Sequence, residues 1–121
     1  MGYRSDVAYI IEFKSFEDRD ACITLMLAKN EPALNNAIEE VEDDSKDRPI
    51  VTFKAECVKW YDDFPSVGAH TYLFRQAHGL FGADYRFVAI GEDGREDFEF
   101  EESFTDLEDD LYAVHKIETS F

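Results

Sequence analysis

Apolar and polar positions change period several times along this chain, and each change marks an element. Asp6–Phe13 holds the unbroken run Val7-Ala8-Tyr9-Ile10-Ile11. Its length and its β-branched and aromatic members predict a first strand. Ser15, with Asp18 three residues on, gives a capping-box-like helix start, and Glu17 suits the positive helix end. Ala21, Cys22, Leu25 and Met26 then recur on one helical face until Asn30 and Pro32 stop or bend the helix. Ala33, Leu34, Ala37, Ile38 and Val41 repeat that spacing and predict a second helix, closed by the solvated stretch Glu42-Asp43-Asp44-Ser45-Lys46-Asp47. Val51–Glu56 alternates as a second strand, and Cys57-Val58-Lys59-Trp60-Tyr61 breaks the alternation, which predicts a bulge.

Asp62-Asp63-Phe64-Pro65 turns the chain into a third helix, whose stripe is Val67, His70, Leu73, Phe74 and Ala77 and whose end is bracketed by Gly79 and Gly82. Tyr85–Ile90 reads as a third strand, followed by a hairpin loop with Asp93-Gly94 as its turn signal. Asp97–Glu101 alternates as a fourth strand, with Phe98 and Phe100 predicted inward and Asp97, Glu99 and Glu101 outward. Thr105–Asp110 predicts one helical turn, and Leu111–Thr119 a last strand. The order β-α-α-β-α-β-β-β, with short connections late in the chain, predicts an antiparallel meander. The expected class is α+β: one domain over residues 1–121, a two-layer sandwich of a mostly antiparallel sheet of about five strands with helices on one face.

Charge alters this otherwise ordinary picture. Twenty-eight acidic residues face twelve basic ones among 121, a formal net charge of -16. Such a surface repels nucleic acid and anionic membranes and attracts basic protein surfaces. From Gly91 onward the acids are Glu92, Asp93, Glu96, Asp97, Glu99, Glu101, Glu102, Asp106, Glu108, Asp109, Asp110 and Glu118, opposed by Arg95 and Lys116. Duplex DNA carries about 20 charges over roughly 35 Å, so the net charge of -16 is comparable in size to that of DNA, and imitation requires the acidic residues at 92–110 to line one elongated face. The bland alternative is a solvated surface. Trp60, Tyr61, Asp62, Asp63 and Phe64 combine aromatics with charge at a strand-to-helix corner, a composition found at interface hot spots and equally at the closed end of a core.

Candidate chemistry is thin. Cys22 and Cys57 read as buried core thiols of a reducing compartment. No basic and apolar leader is visible, and Asp6 stands where a myristoylation motif needs Ser or Thr. His70 and His78, eight residues apart on one helix, can share a face, with Cys57 as a third soft ligand, but zinc needs three or four convergent ligands. Cys57 with His70 or His115 lacks any nucleophile signature. The Glu92–Asp97 stretch lacks the first ligand of a calcium loop, and no phosphate-binding glycine loop exists. No catalytic, cofactor or metal residues are assigned.

The opening Met1-Gly2-Tyr3-Arg4-Ser5-Asp6-Val7 resembles a group of small accessory proteins of tailed bacteriophages and prophages. Val58-Lys59-Trp60-Tyr61-Asp62, Tyr85–Asp93 and the stretch from Val114 to Ser120 are similar to that group too. The resemblance implies expression in a host bacterial cytoplasm and supplies no catalytic residues. The expected function is therefore a non-enzymatic phage accessory protein that binds and modulates a bacterial host protein with a basic surface, without direct contact to nucleic acid or membrane. A DNA mimic, a small metal protein or enzyme using Cys57, His70 or His78, and a self-associating module are the alternatives.

Overall fold

The eight residues after Arg4 already form an inner strand of the sheet. The structure, a computed structural model, describes residues 4–61, 63–91, 94–103, 107, 111–113 and 117–119; the side chains of 94–98, 112, 113, 117 and 118 are outside that description. The first strand, β1 (Ser5–Glu12), is followed by helices α1 (Phe16–Ala28) and α2 (Pro32–Glu40), strand β2 (Ile50–Val58), helix α3 (Pro65–Phe81) and the strand pair β3 (Asp84–Gly91) and β4 (Gly94–Glu102). The short strands β5 (Leu111–Ala113) and β6 (Ile117–Thr119) complete it. One four-stranded antiparallel sheet has the order β2-β1-β3-β4.

The α+β class and the helices on one sheet face match expectation, while two details of the architecture differ. The main sheet has four strands rather than about five. Within the expected last strand Leu111–Thr119, Leu111–Ala113 and Ile117–Thr119 do not continue the sheet but pair with each other as β5 and β6. That pair lies on the face away from the helices, where Leu107 and Leu111 pack with Ala8, Ile10, Val88 and Ile90. The physical reason lies in β1 and β3. Their apolar runs do not alternate, so both faces of the sheet need cover. Val7, Tyr9, Ile11, Phe87 and Ala89 go to the helix side, and Ala8, Ile10, Val88 and Ile90 to the other.

Local chemistry sets the element ends. The Ser15 side chain accepts a hydrogen bond from the Asp18 backbone N–H at 3.1 Å, capping α1. Pro32 and Pro65 occupy first-turn positions of α2 and α3, where a missing N–H costs nothing. Gly82 closes α3 at φ 64, in the left-handed region, with Gly82 N–H on the His78 carbonyl, an αL ending, and Ala83 N–H on the Ala77 carbonyl. The predicted bulge is present: Val7 pairs with Ala55 but Ser5 with Val58, and Cys57 takes φ 56. Its N–H donates to Asp6 Oδ1 at 2.9 Å and its carbonyl accepts from Arg4.

Three packing expectations fail. Cys22 is buried as predicted, but Cys57 is exposed, because the bulge turns it away from the core. In α1 the buried stripe is Arg19, Cys22 and Met26, while Ala21 and Leu25 are exposed. Arg19 rotates that stripe: its Nη1 donates to the carbonyls of Ser45, Arg48 and Ile50 at 2.8, 3.4 and 3.3 Å, tying the loop before β2 to α1. In β4 the alternation holds with its sense reversed. Glu99 and Glu101 face the helix layer, opposite Ala89 and Phe87, and Phe100 lies on the other face, 44% exposed. No helix among the described residues is long and apolar enough to cross a membrane.

Candidate functional site

Two features on the helix side carry chemistry: a hydrogen-bonded relay inside the core and a cleft beside β4. The relay starts at Tyr9, fully buried on β1. Its hydroxyl lies 2.7 Å from His70 Nδ1 on α3, and His70 Nε2 lies 3.4 Å from Glu40 Oε1 at the end of α2. Burial lowers the pKa of His70, and the nearby Glu40 carboxylate, which raises it, does not reverse the direction. A neutral imidazole satisfies both contacts in one tautomer: Tyr9 O–H donates to Nδ1, and Nε2–H donates to Glu40. Burial, reinforced by Glu40, raises the Tyr9 pKa well above 10.0, so the hydroxyl keeps its proton. Phe53 at 4.2 Å and Trp60 at 5.7 Å, ring to ring, enclose the imidazole. The relay joins β1, α2 and α3, and neither of the two clefts described below is lined by its members.

The larger cleft, about 890 Å³ and half open to solvent, lies between α3 and β4. Buried Phe74 and Phe87, whose rings stack at 5.3 Å, form its floor. Trp60, half-buried and stacked on Phe87 at 6.1 Å, closes one side. Gly68, Thr71, Tyr72, Arg75 and Gln76 of α3 form one wall, and the segment Glu99–Glu101 of β4 the other. Arg75 bridges the walls, with Nε and Nη2 on the two Glu101 carboxylate oxygens at 2.9 and 2.6 Å. Tyr85 O–H donates to Glu101 as well, at 2.8 Å. The hydrogen bond from Arg75 is the main cause holding the Glu101 carboxyl below its usual pKa. A second, smaller cleft of about 580 Å³, lined by Lys29, Leu34, Pro65, Gly68 and Tyr72 among others, opens between the helices.

The acidic residues singled out in the sequence separate in space. Glu101 points to the helix side, and Glu102 to the other, where it pairs with Arg86 Nη1 at 2.5 Å. Glu99 is exposed at the cleft, and Asp63 is exposed at the start of α3. Glu96 and Asp97 lie on β4, with side chains outside the description. Asp62, Glu92, Asp93, Asp106, Glu108, Asp109 and Asp110 lie outside the described residues, as does most of the predicted turn at Thr105–Asp110. The aromatic corner splits: Trp60 packs on Phe53, His70 and Phe87, whereas Tyr61 and Phe64 pack on each other, rings 5.0 Å apart.

His70 and His78 do not converge, and His115 lies outside the described residues. His70 belongs to the relay, while His78 is exposed with Nδ1 donating to the Ala83 carbonyl at 2.8 Å. No group of three or more His, Cys, Asp or Glu among the described residues is arranged to hold a metal ion. Sequence reasoning missed Arg75, Tyr85 and the polar wall of α3. The usable signal was a second stripe, Gly68, Thr71 and Arg75, recurring at helical spacing beside the apolar one. It also missed Glu40 as the partner of His70, since nothing local links α2 to α3. No family model, curated protein or solved structure matches the chain.

Proposed function

We propose that this chain is a non-enzymatic, acidic binding protein whose partner is a bacterial protein with a basic surface, and that it serves a tailed bacteriophage as an accessory factor. One observation carries the binding reading: an acidic outer strand, β4, borders an open cleft with an aromatic floor. Aromatic surface supplies binding energy at interfaces, and carboxylates around it select cationic partners and speed their approach. The net charge of -16 extends that attraction beyond the cleft. The resemblance of Met1–Val7 and Tyr85–Asp93 to small phage proteins supports the biological setting.

Imitation of DNA is the less favoured reading. It asks for a continuous row of carboxylates, whereas Glu101 and Glu102 point to opposite faces and each is closed by an arginine. Affinity capture from bacterial lysate at low and moderate salt, with mass spectrometry, tests the proposal. A stoichiometric partner that weakens as salt rises is expected; no stoichiometric partner at either salt overturns it. Duplex DNA competing for that partner at the same surface would return DNA mimicry to first place.

A further inference from the structure

The polar relay inside the helix-side core has two hydrogen-bonded states that differ by one proton. We infer that Tyr9, His70 and Glu40 form an acid-operated switch: a proton taken from solvent by His70 inverts its hydrogen bond with Tyr9, shifts its strongest tie from β1 to α2, and alters the setting of Trp60 at the larger cleft. The switch is a property of the protein alone and holds whatever the cleft binds.

The donor count comes first. Neutral imidazole has one N–H and one acceptor nitrogen, so the contacts to Tyr9 at 2.7 Å and to Glu40 at 3.4 Å leave every group satisfied. Imidazolium has two N–H donors and no acceptor. The new Nδ1–H bond then points at the Tyr9 oxygen, and the Tyr9 proton must turn elsewhere. Tyr9 is fully buried, with the rings of Phe53, Phe74 and His70 around it, and those rings offer it no strong acceptor. A buried donor without an acceptor is costly, so protonation loosens the tie between β1 and α3.

Charge placement gives the second state its own support. Among the described residues, Tyr9 from β1 and Glu40 from α2 are the titratable groups that face His70, while β2 and the segment after it present the rings of Phe53 and Trp60. The His70 side chain is 2% exposed and that of Glu40 54%. Glu40 thus holds the outer end of the ring, where Nε2–H becomes half of an ion pair once the ring is charged. Burial opposes the charged state and Glu40 favours it, so two arrangements compete. Trp60 carries the change outward. Its ring lies 5.7 Å from the imidazole and 6.1 Å from Phe87, and it closes one side of the larger cleft.

Trp60 is the single tryptophan of the chain, and imidazolium quenches indole emission more strongly than neutral imidazole does. The isotope-labelled protein is titrated downward from neutral pH while Trp60 emission, far-UV circular dichroism and the His70 ring nitrogens by NMR are followed together. At neutral pH His70 is expected to carry its proton on Nε2. Below 6.5, protonation of His70 and a loss of Trp60 emission should share one midpoint while the far-UV signal stays unchanged. Two variants assign the step. Glu40→Gln, at a half-exposed side chain, keeps an acceptor for Nε2–H and removes the charge, so its midpoint should move to lower pH. His70→Gln should lose the emission step altogether. Any one of five results overturns the inference: Nδ1–H as the neutral form, His70 titrating with constant Trp60 emission, emission lost only together with the far-UV signal, an unmoved midpoint in Glu40→Gln, or a step that survives His70→Gln.

Discussion

Tyr9 and Ile10 are neighbours in the chain, both fully buried, and they belong to different cores. On the helix side, Tyr9 meets Phe53, Phe74 and His70 in an aromatic layer that also holds a buried polar relay. On the other side, Ile10 meets Ala8, Val88, Ile90, Leu107 and Leu111, all aliphatic. The thick face can host a hydrogen-bonded histidine and open a cleft at its margin because large rings keep the elements apart. The thin face is covered by the short strand pair β5-β6, held also by Arg86 Nε donating to the Leu111 carbonyl at 2.6 Å. Both features described above, the relay and the cleft beside β4, therefore lie on the helix side, and β5 and β6 cover the other face.

The sharpest way to break this comparison is to remove one anchor from each face. Phe74, ringed by Tyr9, Tyr85 and Phe87 at 5.2, 4.9 and 5.3 Å, is expected to cost most. Phe74→Ala should lower unfolding free energy by about 3–5 kcal/mol in urea titration. Leu111→Ala on the thin face should cost about 2–3 kcal/mol, since fewer neighbours lose contact. The double variant should show the sum to within about 0.5 kcal/mol. A larger discrepancy would show that the sheet couples the faces into one core.

Arg19→Met comes next, at about 1.5–3 kcal/mol, because three carbonyls before and within β2 lose a charged donor. The relay adds a pH signature. Burial gives the folded state a lowered affinity for a proton on His70, so the unfolded chain is protonated first as pH falls below 6.5. Stability should therefore drop as pH falls through 6.5 and below, and His70→Gln should flatten that drop when denaturant midpoints are compared. On the alkaline side the unfolded chain releases protons first: Cys22 is pushed by burial from 9.0 to about 11, and Tyr85, by burial and then Glu101, from 10.0 to about 12. Stability should fall again as pH rises above 9.0. The smallest effect belongs to Glu101→Gln. Its pair with Arg75 is solvent-screened, so the change should cost no more than about 1 kcal/mol at neutral pH. That contribution should fade as pH falls below 4.5, since Glu101 titrates lower when folded.

Much of the fold was legible in the chain. Ser15 with Asp18, Pro32, Pro65 and Gly82 mark helix ends through local bonds alone, and the broken alternation at Cys57 announced the bulge. The site was less legible. Trp60 and Glu99, singled out in the sequence, line the cleft, but Arg75, Gly68 and Phe87 come from a helix and a strand whose approach no local signal encodes. The acidic residues were read as one group because sequence proximity says nothing about face: Glu101 and Glu102, adjacent in the chain, end on opposite sides of β4.

Periodicity, turn chemistry and capping act over a few residues, and for that reason the chain alone determined which elements form, where most begin and end, and that the molecule is strongly acidic. Tertiary packing decided what those elements share. The unbroken apolar run of β1 is compatible with one covered face or two, and only the folding back of β5 and β6 made it two. His70 acquired its role from Tyr9 and Glu40, 61 and 30 residues away in sequence. The cleft likewise exists because α3 crosses beside an edge strand, a relation between distant segments that no single segment carries.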